Sequence, residues 1–411
     1  MRSSSAPPAG ISPWRMIVGL GTVSLAIDMV ADGAMSVNGA FLAQLGASAL
    51  LVGLVTGGAD AVALLLRLVS GPWADRTGRY WTFTIIGYAL TAVSVPLLAV
   101  APFAGGAGLA IASVLLILER TGKAIRSPAK TVLLADAAGA VGHGKGFGVH
   151  KALDQLGAFL GPLLVAAVAA AVGVYWPAFL WLVIPGAAAM LMLFWLRARV
   201  PDTSVFRPEP VEPEPEPEPD SPAKAARVDT PRVTFVLFAS FAALTTFGLI
   251  GFGVITFHLE DAGLVPLPVV PLVYALAMFV AAFAAPATGW CYDRLGPRTL
   301  LVVPVLTAFV PALCLSGELP LVLVGVCLWG AATGVQDSTV KAFVATLVPP
   351  AVRGAAYGRF AVFQGTAALA GGTVAGALYG NVPLLSALVV IAQAVAFVLL
   401  ILVLRRRDAH L

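Results

Sequence analysis

The chain has 411 residues, 59% of them hydrophobic and only 11% charged. A soluble domain carries roughly 25% charged residues, so this chain cannot clothe itself for water, and a mean hydropathy of +0.93 points to lipid as its main solvent. The net charge of +4 and pI of about 9.1 suggest nucleic-acid binding only until the placement of the charges is read.

Apolar runs long enough to cross a bilayer, about 20 residues each, follow one another. They lie at 14–41, 48–70, 80–101, 107–128, 147–170 and 175–197. After an interruption they resume at 233–258, 269–289, 298–316, 320–343, 358–380 and 384–404. The expected fold class is an all-α integral membrane protein with twelve transmembrane helices in two pseudo-symmetric six-helix halves. The first run is long enough to stay as a span, so no cleaved signal peptide is expected. The expected division is a tail (1–13), a first bundle (14–197), a linker (198–232), a second bundle (233–404) and a basic tail (405–411). The linker's Glu-Pro repeats from Pro208 to Asp220 favour an extended, solvated tether. Cys291, Cys314 and Cys327 show no metal spacing and read as small core residues.

Lys and Arg fall on alternate loops. One set carries Arg76, Arg79, Lys130, Lys145, the stretch from Arg197 to Arg232, Arg294, Arg298, Arg353 and Arg405–Arg407. The other set (42–47, 102–106, 171–175, 259–268, 317–319, 381–383) has none, only Glu260, Asp261 and Glu318. Basic loops stay on the cytoplasmic side, so both termini are expected there, in a bacterial cytoplasmic membrane. The basic pI is this bias, and no nucleic-acid partner is expected.

One string occurs twice. Gly71, Asp75, Arg76, Gly78 and Arg79 follow the second run, and Gly289, Asp293, Arg294 and Gly296 follow the eighth, both reading G-x-x-x-D-R-x-G. The copies lie 218 positions apart (71 to 289), and the same shift lays Glu119 and Lys123 on Asp337 and Lys341. Each of those acids has a base one helical turn on, where the two can pair. A shorter shift lays Gly148, Asp154 and Gly161 on Gly358, Gln364 and Gly371. The halves are duplicates.

At this point the chain resembles the major facilitator superfamily over essentially its whole length. That resemblance implies secondary active transport, with the D-R-x-G loops at the cytoplasmic face as a gate that locks the opposite-facing state. Trp73 stands where the family's Leu is usual and Tyr80 where its last base is. Asp75 is also expected to cap the third span's N-terminus, where the helix dipole favours an anion. Gly148, Gly157 and Gly161-Pro162 match the start of the fifth-helix pattern of the family's antiporters, with Val165-Ala166 replacing the closing glycines. Physically, small residues at Gly157 and Gly161 let helices approach, and Pro162 permits a bend. A generic packing face is the rival reading. The fourth-helix motif of proton-coupled members is half met, by Arg120.

Ionisable residues within spans are costly and default to functional candidates. They crowd the first half: Asp28, Asp32, Asp60, Glu119, Arg120, Lys123, Arg126, His150, Lys151 and Asp154. Asp28 and Asp32 have no base at their depth on the same helix. Burial disfavours a charged carboxylate, so Asp28, with Asp32 or Asp60, is the expected carrier of a coupling proton. Glu119, Lys123, Asp337 and Lys341 are expected as structural or gating ion pairs. Arg120 and Lys151, facing Tyr274, Gln336 and Gln364, are the expected substrate contacts.

No nucleophile triad or metal motif occurs, and the near phosphate loop Gly139–Gly144-Lys145 has Gly146 where a hydroxyl is needed. The chain is therefore expected to be no enzyme and to need no cofactor or metal. It is expected to work as a monomer in lipid, driven by a proton gradient. The function expected is alternating-access transport of a small organic solute, as proton antiport in the efflux direction. The alternatives are proton-coupled uptake of an anionic metabolite and a non-transporting membrane receptor or scaffold.

Overall fold

The computed structural model describes residues 11–206, 232–340, 343, 344, 347 and 353–408. The start of the N-terminal tail, residues 207–231 of the linker, Lys341 and residues 409–411 lie outside the described residues. Among those described, the secondary structure is helical throughout. The first half holds α1 (Pro13–Met35), α2 (Asn38–Gln44), α3 (Ala49–Leu65), α4 (Arg67–Thr77), α5 (Tyr80–Leu97), α6 (Gly108–Gly139), α7 (His143–Val172), α8 (Trp176–Trp181) and α9 (Val183–Arg199). The second holds α10 (Arg232–Gly248), α11 (Phe252–Asp261), α12 (Val270–Leu295), α13 (Val302–Cys314), α14 (Leu319–Val335), α15 (Arg353–Ala377) and α16 (Val382–Asp408).

Ten stretches of the described helices are long and apolar enough to cross a membrane. One of them, Leu267–Cys314, contains both α12 and α13. Helix α6 is absent from the ten because Glu119, Arg120 and Lys123 interrupt its apolar run. Splitting the first and adding the second gives the twelve spans of the expected membrane fold. Local signals start and stop them. Ser12 and Ser48 cap α1 and α3 by accepting from Arg15 N and Leu51 N. Gly78, in the left-handed region at φ 63°, ends α4 inside the repeated string.

The linker starts differently from expectation. Val200 and Thr203 are buried, and Thr203 Oγ1 donates to Asp136 Oδ2 at 2.7 Å. Its first residues therefore pack back on α6 before the Glu-Pro stretch begins.

The first and seventh spans are broken at matching places, between α1 and α2 and between α10 and α11. A broken helix in lipid needs partners for its freed carbonyls. Ser36 Oγ donates to Gly33 O at 2.6 Å in the first break. In the second, the Trp329 indole of α14 donates to both Leu249 O (3.1 Å) and Ile250 O (3.0 Å). Trp329→Phe keeps a ring against Phe252 but orphans both carbonyls. It is expected to cost about 1–3 kcal/mol, seen as a lower unfolding midpoint in detergent; an unchanged midpoint would mean the carbonyls find other donors.

The halves meet face to face along α3 and α15. Gly53 faces Gly372, and Gly57 faces Ala368 and Gly372, so close that a Cβ would strike backbone. At the end of the molecule holding Glu260, Asp261 and Glu318, called here the acidic end, the halves are shut. Gly39 of α2 abuts Gly253 of α11, Gln44 Nε2 donates to Glu260 Oε1 at 3.0 Å, and Tyr175 OH donates to Leu267 O at 3.0 Å. Behind this seam Tyr379 OH donates to Asp261 Oδ2 at 2.8 Å and meets His258 Nδ1 at 2.9 Å. Burial and the Asp261 carboxylate raise the Tyr379 hydroxyl above its usual range, which keeps it a donor.

At the opposite, basic end Leu68 of α4 lies against Gly358 of α15, but no seal like that of the acidic end joins the described residues. Lys151 of α7 is 66% accessible although it feels the charges of Asp154 and of Asp337 from the other half. It stands in an open vestibule between the halves. Asp75, Arg76 and Arg79 are exposed, and no described salt bridge joins the two repeated strings. The structure is thus closed at the acidic end and open at the basic end. A Gln44→Cys, Glu260→Cys pair should stop transport when oxidised and release it on reduction; transport by the cross-linked protein would show that this seam never opens.

Candidate functional site

Two charged clusters lie on the inner face of the first half. The first surrounds Arg120 of α6, at the mid-depth pocket between the halves. Its Nε lies 3.3 Å from Asp60 Oδ1 of α3, its Nη1 lies 3.5 Å from Glu119 Oε2, and its Nη2 meets the Met35 sulfur. Arg120 and Glu119 are buried, whereas the Asp60 side chain is 37% accessible and faces the pocket. Met35, Asn38 and Thr56 line the same pocket, and Phe252 and Gly253 of the second half close it. Glu119 Oε1 and Asn38 Oδ1 are buried with no hydrogen-bond partner. Beside the pocket Tyr274 OH crosses from the second half to donate to Asp32 Oδ1 at 2.7 Å. An edge-to-face contact with Phe252 at 4.8 Å fixes the Tyr274 ring.

The second cluster lies nearer the basic end, where α1, α5, α6 and α7 converge. Arg126 Nη2 sits 3.3 Å from Asp28 Oδ1, its Nη1 donates to Thr91 Oγ1 at 2.7 Å, and its guanidinium lies over the Tyr88 ring. Lys130 Nζ is 3.7 Å from Asp154 Oδ1, and Lys151 Nζ is 3.0 Å from Asp154 Oδ2. Ser24 Oγ binds this set together, meeting Tyr88 OH (2.9 Å), Lys130 Nζ (3.0 Å) and His150 Nε2 (3.2 Å).

Packing makes these meetings possible. At Gly157 the backbone of α7 lies against the Leu25 carbonyl of α1, and at Gly161 against that of Met29. Gly148 is different. Nothing lies within 4 Å of where its Cβ would be, so it is no packing position.

Several expectations are corrected. Asp28, expected to be unpaired, is paired with Arg126, and Asp60 with Arg120. The reason is tertiary: α6 packs alongside α1 and brings Arg126, from within its expected span, to the depth of Asp28. Glu119 pairs with its neighbour Arg120, where pairing with Lys123 was expected. Asp75 does not cap the third span: Arg79 holds that position, and Asp75 Oδ1 instead accepts from Tyr80 OH at 3.2 Å. Arg294 stacks on Trp290 at 3.7 Å. Arg120 and Lys151, expected to share one substrate site, fall in separate clusters. Gln364 Nε2 donates to Thr246 at 3.4 Å, while Gln336 Nε2 is buried without a partner in a π-helical turn that also holds Asp337.

Ser24 and Tyr88 were not singled out in the sequence, and Lys130 was expected on a basic loop. Lys130 follows Ser127-Pro128, which reads as the end of a span. Its spacing of four from Arg126 was the one available signal that both face the same way.

Sequence comparison bears directly on this arrangement. A profile described as Major Facilitator Superfamily matches residues 19–317 and 267–411. The chain belongs to the major facilitator superfamily. A Mycobacterium tuberculosis protein described as uncharacterized is 44% identical over 384 residues, 92% of this chain and 90% of its own. An uncharacterized MFS-type transporter of Methanocaldococcus jannaschii is 28% identical over 145 residues, 35% of each chain. Among solved structures, the nucleoside transporter NupG, crystallised as a point mutant, superposes with a TM-score of 0.71 at 13% identity, covering 95% of this chain and 99% of its own. A D-xylose–proton symporter gives 0.66 at 14% identity, covering 93% and 96%. A bacterial homologue of the human lysosomal transporter Spinster, inward-facing and occupied, gives 0.67 at 16% identity, covering 96% and 98%. At such identities these neighbours share the fold with this major facilitator protein, an integral membrane transporter.

Proposed function

We propose that this transporter is a proton antiporter that exports a small organic solute, with cationic compounds favoured. The observation that carries the reading is the mid-depth pocket, where two carboxylates, Asp60 and Glu119, share one guanidinium, Arg120. The site has one negative charge more than positive. A proton or an organic cation can neutralise it, but not both at once, and that competition is what exchange requires. Met35 and Phe252 supply an apolar wall for the solute's body.

The resemblance of Gly157, Gly161 and Pro162 to the fifth-helix pattern of the family's antiporters supports the antiport direction. The loop charges support a cytoplasmic location for the basic end and both termini, and the mycobacterial relative supports a bacterial plasma membrane. The open vestibule then faces the cytoplasm, and rocking of the halves moves the pocket to the other side. The proton gradient supplies the energy, and one chain with no cofactor suffices.

The test is substrate-triggered proton release from acidified everted vesicles, using a panel of organic cations and comparing wild type with Asp60→Asn. Release in wild type that is lost in the variant is the expected result. Silence toward every cation, with proton-coupled accumulation of an organic acid by intact cells, would replace this reading with uptake of an anionic metabolite. The accessible Lys151 beside Lys130 is the observation in favour of that second reading.

A further inference from the structure

The acidic end holds a buried base that the pocket does not explain. His258 lies in the last turn of α11. The loops at this end carry no Lys or Arg. Among the described residues, its imidazole is the one side chain there that can carry positive charge. The two ring nitrogens face different partners. Nε2 lies 2.9 Å from the Ser316 carbonyl, in the loop between α13 and α14, and Nδ1 lies 2.9 Å from the Tyr379 hydroxyl, just past α15. Ser316 Oγ accepts from Glu318 N at 3.2 Å, which fixes that loop.

Counting donors decides the state of the ring. A carbonyl can only accept, so Nε2 carries a hydrogen. The Tyr379 hydroxyl has one hydrogen, and it goes to Asp261 Oδ2 at 2.8 Å. Its oxygen therefore meets Nδ1 as an acceptor, and Nδ1 carries a hydrogen too. Both nitrogens donate only in the imidazolium. We propose that a proton on His258 latches the acidic end shut, fastening α11 to Tyr379 and to the loop after α13. Without that proton Tyr379 serves Nδ1 or Asp261, not both, and one hydrogen bond is lost.

The surroundings leave His258 as the group that switches. On its own helix Glu260 is turned to the uncharged Gln44 of α2, and Asp261 reaches the ring only through Tyr379. Glu318 of the α13–α14 loop is exposed, and Cys314 lies against Gly325 of α14. Tyr175, from the first half, donates to Leu267 O. Farther from this end, Tyr274 of α12 is bound to Asp32, and Asp60 of α3 to Arg120.

Helix α11 is also the second half's side of the seam. Gly253 abuts Gly39, Thr256 Oγ1 accepts from Gly39 N at 3.2 Å, and Glu260 accepts from Gln44. The break at Leu249–Gly251 separates α11 from α10, so α11 can swing apart from the rest of its span. The latch holds it from behind, in the position that meets α2. Acid pH therefore favours the closed acidic end. As pH rises through about 5 to 8, where an imidazole ordinarily changes charge, α11 is freed. The latch governs when this end opens and does not depend on what the pocket carries or in which direction.

The test is the distance between the halves at the acidic end, read by pulsed electron resonance on the full chain in lipid. Spin labels go on Phe103→Cys and Leu384→Cys, both exposed and outside seam and latch. The native Cys291, Cys314 and Cys327 are replaced by alanine. The closed-to-open ratio is expected to rise about tenfold from alkaline to acid pH, the worth of one hydrogen bond to a charged group. His258→Gln still donates to Ser316 but takes no proton, and should lose this response. Tyr379→Phe keeps the ring edge-to-face with Phe257 and removes only the hydroxyl. It should lose the response as well, and it reads the latch even if His258→Gln fails to fold. Asp60→Asn should keep it. A response of wild-type size in either latch variant, its loss in Asp60→Asn, or a wild type indifferent to pH would overturn the latch.

Discussion

Arg120→Ala is expected to abolish transport and to lower the stability of the folded chain by about 3–5 kcal/mol, the usual cost of stripping one partner from a buried ion pair. Arg120 is the only cation contacting Asp60 and Glu119 among the described residues. Its removal leaves Glu119 buried with both oxygens unpartnered, because Oε1 has no partner even in the intact protein. Arg120→Lys separates charge from shape. A lysine carries the charge but lacks the planar fork that reaches Asp60, Glu119 and Met35 at once. It should recover part of the stability and little of the transport. Transport by the alanine variant at the wild-type rate would remove the pocket from the mechanism. Unfolding midpoints in detergent, read beside vesicle assays, separate the two effects.

Gly161→Val is the second large effect expected. A Cβ there would drive into the Met29 carbonyl and crowd the Gly33 amide. Both are backbone atoms, which cannot swing aside as a leucine tip can. Helix α7 must therefore withdraw from α1, at a cost of about 1–3 kcal/mol for overpacking. The withdrawal also parts His150 of α7 from Ser24 of α1, so transport should suffer more than folding does. Gly148→Ala on the same helix should change neither, since open space surrounds that position. If the two variants behave alike, the fifth-helix pattern acts through something other than the α1 contact. The comparison is read from expression, unfolding midpoint and solute-driven proton release.

The spans, their number and their pairing into two halves were legible in the residues, because each depends on local quantities. An apolar run either is or is not long enough to cross lipid, and a repeated string is visible without knowing its partner. The helix breaks were less visible. Neither Ser36-Val37 nor Leu249–Gly251 interrupts the hydropathy of its span, and only the reach of Trp329 from a helix 80 positions away makes the second tolerable. The extent of α6 was misjudged at Pro128, which does not stop a helix whose neighbours satisfy it. That put Lys130 outside the span, while Asp28 looked solitary because its partner Arg126 lies on another helix.

By itself the sequence determined the membrane class, the duplication, the one-sided distribution of basic loops and the fact that ionisable residues crowd the first half. These follow from composition and from order along the chain. Which acid meets which base was decided only by the tertiary structure. Asp60 meets Arg120 from 60 positions away, Arg126 meets Asp28 from 98, and Tyr274 reaches Asp32 from the other half. A side-chain pair forms where helix axes cross within a few ångströms. That crossing is set by small residues such as Gly157 and Gly161 packing on distant backbone, a relation that no local pattern carries.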